Sequence, residues 1–242
     1  MFLVMRLAAL LLTPALFAQP ARFGVPACPG SGHELSDRQF YLVCHDPVRN
    51  VPSWTAHELT PERLMGGAAR HRYFRQDTGA RNADYRGSGY SRGHMVPAED
   101  LAWSEEAVRS TYALSNVVPQ TQSVNAGVWR EIEIAVREIA ARSDAVYIVT
   151  GPIFAGAGDE TIGPGQVAVP THTFKVVLAL EGEQKSMYAA IVPNAPLGRR
   201  TSPADFTTTV EEVERLTGLD FFGALDQDEQ RRLEPVRRQF RD

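Results

Sequence analysis

The chain has 242 residues, of which 43% are hydrophobic and 22% charged, and its net charge is −4. That length supports one domain or at most two small ones, and the ordinary apolar fraction allows a sizeable core. The negative balance argues against a protein that coats nucleic acid, which is usually basic, but not against an enzyme that cuts and leaves.

At the amino terminus, Met1–Ala18 carries one basic residue, Arg6, then the apolar run Leu7–Leu12, and Pro14 follows. The run is too short to span a bilayer comfortably and reads as a signal peptide over 1–18, cleaved after Ala18. The chain is therefore expected to be exported, to the periplasm or beyond, with a mature net charge of −5 once the charge of Arg6 is subtracted from −4. No other segment is long and apolar enough to cross a membrane. Gln19–Ser36 is rich in Pro and Gly and predicts an extended arm. The two cysteines, Cys28 and Cys44, form an even pair, which in an exported chain suggests a disulfide tying the arm to the first strand. Two free buried thiols are the alternative, and the spacing matches no zinc pattern.

Gln39–His45 and Trp54–Leu59 predict strands, the first ended by Asp46-Pro47. Arg63–Gly89 is polar, basic and loop-like. Seven arginines lie between Arg63 and Arg92 against two acids, Asp77 and Asp84. With 23 Arg and 2 Lys overall, Arg is this chain's habitual basic residue, yet the local cluster reads as a guide for phosphates. Tyr90–Met95 predicts a strand that Pro97 ends. Ser104 caps a helix through Tyr112, with Glu105 and Glu106 in its first turn. Leu114–Val118 predicts a short strand that Pro119 closes.

Asn125–Arg142 is the clearest helix, with an apolar stripe of Ile132, Val136, Ile139 and Ala140. Asn125, Trp129, Glu133 and Arg137, at steps of four, form a second, slowly winding face. Ala145–Thr150, Thr173–Leu180 and Lys185–Val192 predict strands, the last two joined by a turn at Glu181-Gly182-Glu183. Thr208–Thr217 predicts a helix with Gly218 at its end, and the charged tail from Asp226 is expected to fray. Strands dominate, so the fold class is α+β: a central, largely antiparallel sheet flanked by helices. One domain is expected over 19–242, with its core at about 40–222.

The chemistry concentrates in Tyr85–Asp100, which reads YRGSGYSRGHMVPAED. Arg92 and His94 are two apart and leave the same face of a strand. Gly93 between them removes a side chain where another backbone or a ligand can come close. An arginine matches a phosphate bidentately, and a neutral histidine takes a proton near neutral pH. Side by side they suggest phosphodiester chemistry. That chemistry needs a base to activate water, cations for the developing charge, and stabilisation of the leaving oxygen, often by a metal.

SRGHMVPAED, YALSNVVPQ and NAGVWREIE, in this order and spacing, resemble the DNA/RNA non-specific endonuclease family. The resemblance runs from about Trp54 to Phe222 and includes TGPIF (Thr150–Phe154), VPTHTFKVVL (Val169–Leu178) and VEEVERLTGLDFF (Val210–Phe222). It implies a ββα-metal (His-Me finger) unit made of the strand ending at His94, the strand Leu114–Val118 and the helix from Asn125. It implies His94 as general base and Asn125 as the ligand of Mg²⁺, with Mn²⁺ as the substitute. Glu133 would hold metal-bound waters, Arg92, Arg137 and Arg72 would meet phosphates, and Asn116 would support the site. Arg75 is the local rival of Arg72. The substrates implied are DNA and RNA, contacted through the phosphate backbone, and the family includes homodimers. Trp129 reads as packing. Ser91 departs from the Asp common in the family; strand alternation would turn it away from Arg92, in a positioning role.

Three other readings stay open on the sequence. The chain could be a nucleic-acid-binding module that kept the fold, a phosphodiesterase for a small or lipid substrate, or the nuclease part of a delivered toxin. Intact His94, Asn125 and Glu133 argue against the first.

Overall fold

The computed structural model describes residues 21–156, 158–198 and 200–241, so the leader read over 1–18 lies outside the described residues. β-branched and aromatic runs build eleven described strands. In chain order they are β1 (Glu34–Asp37), β2 (Leu42–Asp46), β3 (Val51–Leu59), β4 (Tyr90–His94), β5 (Val117–Thr121), β6 (Ala145–Ile153), β7 (Thr161–Ile162), β8 (Val167–Ala168), β9 (His172–Glu181), β10 (Gln184–Pro193) and β11 (Thr207–Thr208). The α-helices are α1 (Glu105–Thr111), α2 (Trp129–Arg142), α3 (Val210–Thr217) and α4 (Gln227–Leu233). Seven strands form one sheet in the order β1-β2-β3-β6-β9-β10-β11, and every neighbouring pair is antiparallel. The α+β expectation holds.

Side-chain alternation decides how the sheet is covered. Val146 and Ile148 of β6, with Val177 and Ala179 of β9, pack beneath Ile132, Val136 and Ile139 of α2. Tyr147 and Val149, with Val176 and Leu178, point the other way, against Val210 and Val213 of α3 and against Phe221. Both faces are thus buried, which is why these strands read as continuous apolar runs rather than alternating ones. On the second face the amino-terminal arm adds Phe23 and Val25, and a Cys28–Cys44 disulfide fixes the arm to β2 with 5.8 Å between the Cα atoms.

Four local expectations need correction. The arm is not wholly irregular, because β1 pairs with β2. Leu114–Asn116 forms a tight helical turn, and β5 begins only at Val117 and runs through Pro119, opposite Arg92. A two-stranded ribbon tolerates proline because β5 has no second neighbour to which it must donate. The tail does not fray: Asp226 caps α4 by accepting from Glu229 N at 2.7 Å, and Leu233 and Phe240 are buried. The regular helix α2 begins at Trp129 rather than at Asn125, for reasons that bear on the site. No described helix is long and apolar enough to cross a membrane.

Candidate active site

The β4–β5 ribbon stands apart from the main sheet, and α2 follows it directly. A cleft of about 530 Å³ is bounded by Arg92 and His94 of β4, Asn125 ahead of α2, and Glu133 on α2. The expected ββα unit is therefore present, and strand alternation sets Arg92 and His94 on a common wall. Gly93 has a more specific reason than open access. A Cβ there would lie 2.0 Å from Gln120 Oε1, so the glycine makes room for a buried glutamine on the paired strand. Ser91 lines the same cleft, its hydroxyl donating to Gln122 Oε1, so it does not face away from Arg92 as alternation alone suggested.

His94 is held by ring packing. Its imidazole lies 4.9 Å from the Tyr112 ring and 5.1 Å from the Phe74 ring, and Nε2 is shielded and makes no hydrogen bond. Burial pushes its pKa down to about 4; Glu99 opposes this and Arg70 reinforces it. Arg92, two residues away on the same strand, is not among the charges that shift it. Arg92 instead donates to Asn82 O at 2.9 Å and lies over the rings of Phe74 and Tyr85, at 5.4 and 5.1 Å.

Asn125 sits in a wide helical turn, Val124–Val128, that is broken by Gly127 at φ −106° and ψ −116°. The regular helix starts only at Trp129, so Asn125 caps nothing, and its amide makes no hydrogen bond among the described residues. Two turns on, Glu133 enters the cleft. Burial raises its pKa, with Lys175 the main opposing charge. Lys175, on β9, is buried, donates to Thr150 Oγ1 at 2.8 Å and lies 5.0 Å over the Trp129 ring. Trp129 is thus core packing, as expected.

A family model for DNA/RNA non-specific endonucleases matches residues 19–228. The chain belongs to the DNA/RNA non-specific endonuclease family. It is an enzyme of the nuclease class. Human "Endonuclease G, mitochondrial" is 36% identical over 218 residues, covering 83% of this chain and 72% of its own. Zebrafish (Danio rerio) "Nuclease EXOG, mitochondrial" is 39% identical over 223 residues, 84% of this chain and 64% of its own. The chain thus spans less than two thirds of that relative. An EndoG chain in a crystal structure of the EndoG/EndoGI complex superposes with a TM-score of 0.79 at 30% identity, covering 86% of this chain and 92% of that one. These findings overturn the expectation of a periplasmic or secreted protein. These two relatives and the yeast "Mitochondrial nuclease" are named as mitochondrial, and the leader that prompted the expectation lies outside the described residues.

Within this family member, three expected site residues stand elsewhere. Arg137 does not reach the cleft: its Nη1 donates to Asp100 Oδ1 at 2.8 Å. The slow drift of a four-residue step carries it off the Asn125–Glu133 line and down onto the buried Asp100. Arg72 is exposed and outside the cleft wall, whereas Arg70, two residues earlier, lines it and pairs with Glu99. Asn116 is fully buried. Its Oδ1 accepts from Val96 N at 2.9 Å, and its Nδ2 donates to Val96 O and Thr111 O at 3.0 and 2.9 Å.

Asn116 therefore braces the turn that follows His94. Asn116→Ala would strand three buried backbone groups at about 1–3 kcal/mol each, partly relieved by relaxation, so a loss of roughly 2–4 kcal/mol in unfolding free energy is expected. Urea denaturation measures it. A variant of unchanged stability but weaker substrate binding would put Asn116 on the substrate instead.

Sequence reasoning missed the groups beneath the cleft. His57 Nε2 lies 3.0 Å from Asp100 Oδ2, and with Arg137 it holds that buried carboxylate below its usual range despite desolvation. A lysine inside the apolar run TFKVVL and an acid in PAED were the available signals. Arg130 on α2 also lines the cleft, so its cations are Arg70, Arg92 and Arg130, against Glu99 and Glu133.

Proposed function

We propose that residues 19–242 form one catalytic domain that hydrolyses phosphodiester bonds of DNA and RNA, with His94 as general base and Asn125 as the protein ligand of Mg²⁺. The observation that carries this reading is the shared cleft: an imidazole, a free carboxamide and a half-buried carboxyl group, ringed by three arginines. The donor set fits a hard, hydrated cation. Among the described residues no three His, Cys, Asp or Glu side chains converge to make a transition-metal cage. One neutral oxygen from Asn125, with Glu133 placed to hold ordered water, suits Mg²⁺, and Mn²⁺ as a substitute, because such ions keep most of their own water.

The reaction then follows from what each side chain can do. The imidazole of His94 accepts a proton from the attacking water. Arg92, its guanidinium fixed between two rings, presents its remaining N–H groups to the phosphate, and Arg70 and Arg130 add charge as negative charge builds. A bound Mg²⁺ supplies Lewis-acid stabilisation of the leaving oxygen. The inventory addresses phosphates rather than base edges, which supports tolerance of sequence and sugar. The coarse test is digestion of supercoiled plasmid and of RNA with Mg²⁺ or with EDTA. Cleavage that persists in EDTA would overturn the metal, and no cleavage in Mg²⁺ or Mn²⁺ would overturn the nuclease. Hydrolysis of a simple chromogenic diester alone would favour a small-molecule phosphodiesterase.

The pH dependence has a definite sign. The active imidazole is neutral, and its pKa in the folded protein is about 4. Turnover should hold from neutral pH into the mildly acidic range and fall along a one-proton limb near that value. Stability follows the same group: an unfolded histidine titrates near ~6.5, so the contribution of His94 is complete above that and is lost as pH falls toward its folded value. Initial rates across pH, beside a melting series, read both. A limb centred near ~6.5 would mean that the base is solvated in the working enzyme.

A further inference from the structure

A second groove opens beyond the cleft, and no role above accounts for it. It measures about 310 Å³, and its walls include Arg38, Arg75, Arg109, His71, Tyr73 and Tyr112. Tyr112 belongs to both grooves, so they share a wall. A smaller depression of about 180 Å³ shares Arg70 with the cleft and His71 and Arg109 with this groove. A line of rings leads outward from the catalytic histidine: His94 to Tyr112 at 4.9 Å, Tyr112 to His71 at 5.6 Å, and His71 to Tyr73 at 6.3 Å. The last ring is 76% exposed, although burial would stabilise a tyrosine.

The charges around these rings are mainly cationic. Arg38 and Arg75 share Asp77, at 3.1 and 3.6 Å. Arg109 on α1 has no carboxylate partner among the described residues, and Glu106 one turn earlier is the opposing charge in the groove. Exposed rings set among arginines, continuous with a phosphodiester-cutting cleft, are the components of a single-strand platform. Unpaired bases stack on the rings while the backbone follows the cations. We propose that this groove binds the nucleotides flanking the scissile phosphate on a single strand of DNA or RNA, with Tyr73 stacking a base and Arg109 holding a phosphate. The inference rests on the nuclease reading of the adjoining cleft and extends it to the path of the substrate.

The test measures binding by fluorescence anisotropy in a His94→Ala background, so that the strand survives. The probes are labelled single strands of roughly 12 and roughly 3 nucleotides, in DNA and RNA forms. The longer strand should bind more tightly. Tyr73→Ala should weaken it by about 5- to 150-fold and leave the short strand unaffected. Arg109→Gln should reduce the slope of log affinity against log salt by about 0.7, the value for one phosphate contact on a single strand. Both side chains are exposed, and melting curves confirm that the variants fold. Retention of the length-dependent affinity and the full salt slope in a folded Tyr73→Ala/Arg109→Gln double variant overturns the groove while the nuclease stands. A wild type that cuts neither plasmid nor RNA overturns the nuclease reading, and the groove with it.

Discussion

His94→Ala is expected to lose about 10²- to 10⁴-fold in turnover, the usual cost of removing a general base, while still binding nucleic acid. The binding half of this result follows from the separation of roles in the cleft. Arg70, Arg92 and Arg130 line the wall independently of the imidazole, and Arg92 is fixed by Asn82 O and two rings rather than by His94. The catalytic half follows from the imidazole's place on the cleft wall, and its shielded Nε2 has no structural hydrogen bond to lose. The ring does pack against Tyr112 and Phe74, so truncation leaves a gap. His94→Asn fills part of that gap without supplying a base, and it should match the alanine variant in rate while melting closer to wild type. Turnover near the wild-type rate in either folded variant would sink the assignment of His94.

Asn125→Ala should produce a loss of similar size with a different signature. A metal's stabilisation of developing charge is worth several kcal/mol, on the order of 10²–10⁴ in rate. If Asn125 is the one protein oxygen on the ion, the loss should shrink as Mg²⁺ is raised, whereas the loss in His94→Ala should not. Glu133→Gln should act more mildly than either, weakening metal affinity by about 10–100-fold, as residues that orient bound water do. The substitution at Asn125 removes no hydrogen bond and leaves the broken turn at Gly127 in place, so folding should be unaffected. Full activity of Asn125→Ala at limiting Mg²⁺ would place the ion elsewhere in the cleft.

What was legible in the sequence was periodic or contiguous. Ile132, Val136 and Ile139 announced the buried face of α2, and the apolar runs of β6 and β9 announced a sheet covered on both faces. RGH on a short strand placed Arg92 and His94 together because a two-residue period needs no tertiary information. The failures share a different character. Arg137 was drawn to Asp100, 37 residues earlier, by a buried charge that no local pattern reveals. Arg72 was chosen, with Arg75 as its rival, inside a segment with no repeat, so nothing pointed to Arg70 as the arginine that turns inward. The helix read from Asn125 begins only at Trp129 because the break at Gly127 is a backbone event, invisible to side-chain spacing. The tail looked solvated because its charges outnumber Leu233 and Phe240, the two side chains that dock it.

The ends of the seven-stranded sheet bear on how copies of this enzyme behave when crowded. One side stops at β1, four residues that begin with Glu34 and end with Asp37; the other stops at β11, two residues long. The short, charged β1 margin offers little ladder for another chain to extend, which is how β proteins resist edge-to-edge aggregation. The arm ahead of β1 is also stapled by Cys28–Cys44, so this margin cannot easily peel away to expose the longer β2 behind it. The β1 margin would therefore contribute little to a homodimer of this chain, and a concentrated stock should resist association at this margin until the staple is reduced.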